Sequence, residues 1–334
     1  MPRRSYADRL AELVRSEPGI SVSEASRKLG VSKSTVSTLS KLLEGRGLVR
    51  RVRRGPLVLL YPVESRTGMA PSTSRRIRLG IIRAAEYPFT AAFAKVLRDQ
   101  GIALDVVVYD NGLDATFDLV VGSLDLALTP LATQALFYGL TSRLKIIGGG
   151  ASGGAYVLEN PEARRQYVAT TRASTMELCV NVSGVAGEAS VIVYGSSGEE
   201  IVEALATGRA RYAAVWEPYA SQALRHGARI AVSCSELGIS HCCTLAARAD
   251  LDWELRARVS RAYARAIEEF LRRPRDWLPW YSAVVGLPVE LVERSLASYS
   301  FRSTVDGGEA AKMLARSGMR IPNPDLVREA VEQG

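Results

Sequence analysis

The chain has 334 residues, of which 47% are hydrophobic and 23% charged, enough for two or three domains that each bury a core. No apolar run approaches the roughly 18 residues a membrane helix needs, and charges fill Met1 to Leu10 where a secretion leader would be apolar. A cytoplasmic protein with no membrane partner is therefore expected, and four cysteines (Cys179, Cys234, Cys242, Cys243) are too few and too clustered for a disulfide framework. The net charge of +8 is unevenly spread: residues 1–76 hold 16 Lys+Arg against 6 Asp+Glu, and residues 77–334 hold 27 against 29. All of the basic excess lies in the first quarter, as a nucleic-acid-binding head on a near-neutral body would have it.

In that quarter, Leu10, Leu13 and Val14 fall at helical spacing within Tyr6 to Ser16, and Pro18-Gly19 closes the helix. Ser21 and Glu24 have capping-box spacing and open a short helix through Leu29. Gly30 turns the chain, and Ser32 caps a third helix from Lys33 to about Glu44. Val36, Leu39 and Leu43 of that helix face inward, leaving Lys33, Ser34, Ser37, Thr38 and Lys41 outside. Leu48 to Arg53 and Leu57 to Tyr61 read as a hairpin turned by Arg54-Gly55-Pro56.

This stretch resembles the winged helix-turn-helix of prokaryotic transcriptional regulators, and Val22 to Val52 is similar to the MarR-type version. The resemblance implies that Lys33, Ser34, Ser37, Thr38 and Lys41 face DNA, with Arg50, Arg51, Arg53 and Arg54 on the wing. Short polar side chains can approach base edges, while Lys and Arg mainly hold phosphates. Winged helices also serve as protein-docking modules; the basic helix and basic wing together favour DNA.

Residues 1–63 are thus expected to form the DNA-binding domain, and residues 64–76, rich in Ser, Thr, Gly and Pro, a linker. From Ile77 strands and helices alternate. Strands are expected at Ile77–Ile82, Leu104–Tyr109, Leu124–Leu128, Leu144–Ile147, Tyr167–Ala169, Ser190–Val193 and Arg211–Val215, with helices between them. Such alternation predicts parallel sheets covered by helices, here in two lobes within residues 77–334, the second spanning about 160–235. After Leu251 the chain reads as mostly helical.

Ligands of such sheets bind at the carboxyl ends of strands, near helix N-termini. The candidates there are Glu86, Tyr87, Asn111, Thr129, Gly150, Ser152, Ser174, Thr175, Ser196, Trp216 and Glu217. Tyr87 and Trp216 offer flat faces, Glu86 accepts N–H donors, Glu217 either accepts them or braces the hinge, and the hydroxyls at helix starts can hold an acidic end.

Leu205 to Ala220 (LATGRARYAAVWEPYA) resembles the second-lobe signature of type II periplasmic solute-binding proteins of the sulfonate, nitrate, taurine and thiamine-precursor group. Leu124 to Pro130, Lys145 to Ile147 and the glycines that follow are similar to its first lobe. The resemblance implies two lobes joined by hinge strands that close on a small polar solute. The DNA-binding head argues against delivery to a transporter.

Other motifs have simpler readings. Gly148 to Gly154 lacks the Lys-Ser/Thr of a phosphate loop and reads as a hinge or a close backbone approach to a ligand. His241, Cys242 and Cys243 are adjacent, and adjacent residues of a strand point to opposite faces, so no metal ligation by all three is expected; core or cleft-lining thiols are favoured. Ser240 to Cys243 is similar to a His-Pro-Cys-Cys stretch of some solute-binding members, although the proline is missing. An iron-using pyrimidine-precursor synthase shares this fold, but its consecutive cysteine run is missing here. Neither Glu86 nor Glu217 has a histidine or metal partner visible in sequence, so no catalytic residue, metal or cofactor is expected.

The expected fold class is α/β: an N-terminal winged helix-turn-helix plus a two-lobed type II periplasmic-binding-protein-like domain. The expected function is a one-component regulator, not an enzyme, with operator DNA and a small-molecule effector as partners. A homodimer is expected because paired recognition helices must sit about 34 Å apart on DNA. Two alternatives stay open: an enzyme on this scaffold acting on a vitamin precursor or small acid, and a solute-binding protein with a protein-docking head.

Overall fold

The computed structural model describes residues 6–17, 19–45, 48–54, 57–62, 75–188, 191–319 and 321–332. The chain divides into two compact units, residues 1–72 and 73–334.

The first unit opens with α1 (Tyr6–Ser16), whose Leu10 and Val14 are fully buried. A short strand, β1 (Ile20–Ser21), leads into α2 (Val22–Leu29). Ser21 Oγ accepts from the Glu24 amide at 3.1 Å, and the Glu24 carboxylate accepts from the Ser21 amide at 2.9 Å, so two orphan donors of the helix start are satisfied. Gly30 ends α2 at φ +67°, a region open to glycine without steric cost. Then come α3 (Lys33–Gly45) and the antiparallel hairpin of β2 (Val49–Arg54) and β3 (Leu57–Pro62). The other edge of β3 pairs with β1, Ile20 opposite Leu60, and Val36, Leu43, Val49 and Leu60 complete the core.

In the second unit, β4 (Arg75–Ile82) starts two residues inside the segment expected as linker. It is followed by α4 (Thr90–Asp99), β5 (Ile102–Tyr109), α5 (Gly112–Val120), β6 (Leu126–Pro130), α6 (Leu131–Thr141) and β7 (Leu144–Gly148). After β8 (Gly150–Gly153), β9 (Ala155–Glu159) carries the chain into a second sheet. That sheet adds β10 (Tyr167–Thr170), β11 (Val191–Tyr194), β12 (Tyr212–Trp216) and β13 (Arg229–Ser233). Its helices are α7 (Thr175–Ser183), α8 (Val185–Glu188), α9 (Gly198–Ala206) and α10 (Tyr219–Arg225). The chain then returns to the first sheet as β14 (Cys243–Arg248). Helices α11 (Trp253–Arg272), α12 (Leu278–Val285) and α13 (Val289–Ser295), then β15 (Tyr299–Arg302) and α14 (Gly307–Arg316), follow.

The strand orders are β5-β4-β6-β14-β7 and β11-β10-β12-β9-β13. The sheets are mixed rather than wholly parallel. β4 runs parallel to β5 and β6, and β10 to β11 and β12, as βα alternation requires. β14 is antiparallel to both β6 and β7, and β9 to both β12 and β13. These are the strands by which the chain enters each sheet from the other, so they arrive against the local direction.

The glycine run packs against the protein itself. A Cβ on Gly149 would lie 2.4 Å from the Arg302 carbonyl oxygen, and one on Gly150 would lie 2.2 Å from that of Cys243. β8 pairs antiparallel with β15, Ala151 opposite Phe301, and only glycine allows that approach. A disulfide joins Cys179 on α7 to Cys234 just after β13, with Cα atoms 5.6 Å apart. This cross-link, absent from the sequence reading, depends on two segments 55 residues apart meeting in the second lobe.

Candidate functional site

On α3 of the first unit, Lys33, Ser34, Thr38 and Lys41 are exposed and Ser37 is half-buried. Ser32 Oγ accepts from the Thr35 amide at 3.1 Å and shares a hydrogen bond of 2.7 Å with Ser34 Oγ, so the start of the helix is held by hydroxyls. On β2, the Arg50 guanidinium stands 5.8 Å from the centre of the Tyr61 ring. Arg51 is drawn onto α3 instead of outward: its amide donates to Glu44 at 2.9 Å and its guanidinium lies 3.9 Å from the same carboxylate. Arg53 and Arg54 have their backbones in β2, but their side chains lie outside the described residues.

In the second unit a narrow cleft of about 30 Å³ lies between the lobes. The first lobe contributes Ile82, Ala84, Glu86, Tyr87, Asn111, Gly112 and Pro130. Thr171, Ser174, Thr175, Met176 and Trp216 come from the second, and Cys242 and Cys243 from the returning chain. The loop after β4 is pinned from two sides. Tyr281 Oη donates to the Ala84 carbonyl at 2.6 Å, and the Ala85 amide donates to the Glu217 carbonyl at 3.0 Å. The Ala85–Glu217 bond joins the two lobes, and three side-chain bonds add to it across the cleft. Trp216 Nε1 donates to the Arg83 carbonyl at 3.1 Å, Asn111 Nδ2 to that of Ser196 at 3.1 Å, and Thr133 Oγ1 to that of Ala173 at 2.6 Å.

Glu86 sits at the floor, 2% exposed. Its Oε1 has no hydrogen-bond partner among the described residues, and Cys242 Sγ lies 4.0 Å from its Oε2. Burial pushes its carboxyl up to about 8, so near neutral pH it is largely protonated. Cys242 and Cys243 thiols are 3.9 Å apart, and Tyr87 Oη donates to Cys243 Sγ at 2.9 Å. Burial pushes the Cys243 thiol up as well. The expectation that neighbouring residues oppose one another fails for these two. Cys242 precedes β14 at a bend, so strand alternation does not apply between it and Cys243. His241 is apart from them, its Nε2 3.9 Å from Glu309, and burial lowers its pKa.

Residues 2–56 match the MarR family. Over the rest of the chain the comparison is structural. The alkanesulfonate-binding protein SsuA from Xanthomonas axonopodis pv. citri, bound to MOPS, aligns over 80% of this chain and 100% of its own, with TM-score 0.63 and 18% identity. The periplasmic aliphatic sulphonate binding protein SsuA from Escherichia coli aligns over 77% and 97%, with TM-score 0.59 and 16% identity. The Candida albicans CA3427 product, described as having the generic periplasmic binding protein fold, aligns over 77% and 96%, with TM-score 0.58 and 9% identity. No curated protein matches the chain in sequence. The chain therefore joins a MarR-type winged helix to a periplasmic-binding-protein fold.

Within that fold, six of the candidates, Glu86, Tyr87, Asn111, Ser174, Thr175 and Trp216, lie together on the cleft. Five other candidates lie off its lining. Thr129 is buried beside α5, bonded to Thr116 Oγ1 at 2.9 Å and Gln134 Nε2 at 3.0 Å. Gly150 backs onto Cys243, and Ser152 Oγ is 2.8 Å from Ser300 Oγ. Ser196 donates to Glu200 through its amide and its hydroxyl. Glu217 accepts from Ser221, on the helix that follows it. The cleft also takes in Thr171, Met176, Cys242 and Cys243, which were not among the ligand candidates. Thr171 stands at the carboxyl end of a strand, where ligands of such sheets bind, and the bend before β14 concealed the convergence of the cysteine pair.

Proposed function

We propose that this chain is a one-component transcriptional regulator acting in the cytoplasm: residues 1–63 bind operator DNA, residues 64–76 link, and the two-lobed domain senses a small polar effector. The observation that carries this reading is the union, on one chain, of a basic MarR-matching winged helix and a cleft walled by both lobes. In this reading Lys33, Lys41 and Arg50 hold phosphates, Ser34 and Thr38 approach bases, and a homodimer places two such helices about one DNA turn apart. The cleft binds and does not turn over its solute.

The two SsuA proteins bind sulfonates, as their descriptions state. The cleft here is lined by no Lys or Arg among the described residues and carries a buried carboxyl, which disfavours a bare anion. An effector with N–H or O–H groups facing Glu86, and a flat portion against Trp216, suits it better. The test is a gel shift on the gene's own upstream DNA with the purified full-length protein, with and without metabolite pools. Retardation that a pool modulates is the expected result; no retardation at low salt would overturn the reading.

A further inference from the structure

We propose that Glu86, Cys242 and Cys243 form a three-ligand site for a borderline divalent cation, Zn²⁺ by its donor set, with the fourth coordination position open to the cleft. The side chains come from two segments: Glu86 from the loop after β4, and the consecutive Cys242 and Cys243 from the end of the crossing between lobes and the first residue of β14. Their donor atoms all lie within 4.8 Å of one another, and all three residues are buried.

The spacing suits one ion. Tetrahedral zinc with Zn–S about 2.3 Å and Zn–O about 2.0–2.2 Å has a sulfur–sulfur edge of about 3.8 Å and a sulfur–oxygen edge of about 3.6 Å. The thiols are 3.9 Å apart, and Cys242 Sγ is 4.0 Å from Glu86 Oε2. As hydrogen bonds these contacts are too long to satisfy the groups, and Glu86 Oε1 has no partner among the described residues. As edges of a coordination shell these two need only small adjustments, and the third, Cys243 Sγ to the Glu86 carboxylate, lies within 4.8 Å. Two thiolates and a carboxylate favour zinc over magnesium or calcium, which take oxygen donors. Binding releases the thiol and carboxyl protons to solvent.

Outer contacts hold the ligands in place. Tyr87 Oη donates to Cys243 Sγ at 2.9 Å, and Thr175 Oγ1 donates to the Cys242 carbonyl at 2.9 Å. Three protein ligands leave one position, and the same residues line the cleft, so a donor atom of an incoming molecule completes the shell. An ion here also ties the chain crossing between the lobes to the loop of the first lobe.

The experiment uses full-length protein, reduced and stripped with a chelator, then titrated with Zn²⁺ against a chromophoric competitor and separately with Co²⁺. We expect one equivalent per chain and, with Co²⁺, thiolate charge-transfer absorption that vanishes in the double variant C242S/C243S. Glu86→Gln, which keeps the shape of the side chain, should weaken Zn²⁺ at least about tenfold. C179S/C234S should retain the full equivalent. Azide should shift the visible Co²⁺ bands, reporting the open position. Binding that survives in C242S/C243S, or disappears only in C179S/C234S, would overturn the site, as would unaltered affinity in Glu86→Gln. Should the double cysteine variant fail to fold, Glu86→Gln and the Co²⁺ spectrum of the parent decide. Unshifted bands with azide would overturn the open position. Every readout is metal binding itself, so this test and the gel shift fail independently.

Discussion

The Glu217 carboxylate turns back onto α10 and accepts from Ser221 twice, from the amide at 3.2 Å and from Oγ at 3.0 Å. Its backbone carbonyl meanwhile accepts from Ala85 across the lobes at 3.0 Å. Of the two roles open to it in sequence, cleft carboxylate or hinge brace, these contacts support the brace. Glu217→Ala should lower the unfolding free energy of the two-lobed domain by about 1–3 kcal/mol, because the Ser221 donors are left unpaired. Effector affinity measured by calorimetry should stay within about twofold. A large affinity loss without earlier melting would return Glu217 to the ligand.

Trp216 is one of the side chains that reach across the cleft, with Nε1 donating to the Arg83 carbonyl at 3.1 Å. Trp216→Phe removes that donor while keeping an aromatic ring. Loss of about 1 kcal/mol from the closed arrangement is expected, read as a larger radius of gyration in small-angle scattering. An unchanged scattering curve would show that the bond does not bias closure.

Lys33 and Lys41 stand exposed on α3. Replacing both with Ala should weaken binding to specific and random DNA alike. The log affinity against log salt plot should flatten by about 1.8, since each phosphate contact contributes about −0.9. Loss confined to one sequence, with the slope intact, would assign these lysines to base reading.

The capping box gives the winged helix an acid-sensitive element. Hydrogen bonds from the Ser21 amide and side chain hold the Glu24 carboxyl below its usual range. A carboxyl with a lowered folded pKa adds stability above its unfolded pKa of about 4.3, and that contribution is lost as pH falls through the folded value. Calorimetric melting of this unit should therefore fall more steeply below that range in the parent than in Glu24→Gln. Ser21→Ala should cost about 1 kcal/mol at neutral pH. Parallel melting curves for parent and Glu24→Gln would remove the linkage.

Gly150 faces the Cys243 carbonyl so closely that a Cβ would stand 2.2 Å from its oxygen. The obstacle is backbone, which cannot swing aside as a side chain can. Gly150→Ala should destabilise the two-lobed domain by about 1–3 kcal/mol. Wild-type melting would mean that β8 and β14 slide apart at little cost.

Much of the architecture could be read locally. Helices such as Lys33–Gly45, and strands such as Val191–Tyr194, lie within a residue or two of where periodicity and caps put them, because a helix stripe or a cap is set by neighbours three or four positions away. The charge imbalance and the turn at Gly30 were equally local. What only tertiary structure decided were relationships between distant segments. β9 and β14 run against their sheets because the chain crosses between lobes there, which no short window of residues records. Gly149 and Gly150 are glycine because a C-terminal strand and β14 lie against them, not because a ligand does. Cys242 and Cys243 converge on Glu86, 156 residues before Cys242 in sequence, because the bend before β14 cancels the alternation that holds within a strand. Side-chain direction at a bend follows from what packs around it, and that is settled only when the whole chain has folded.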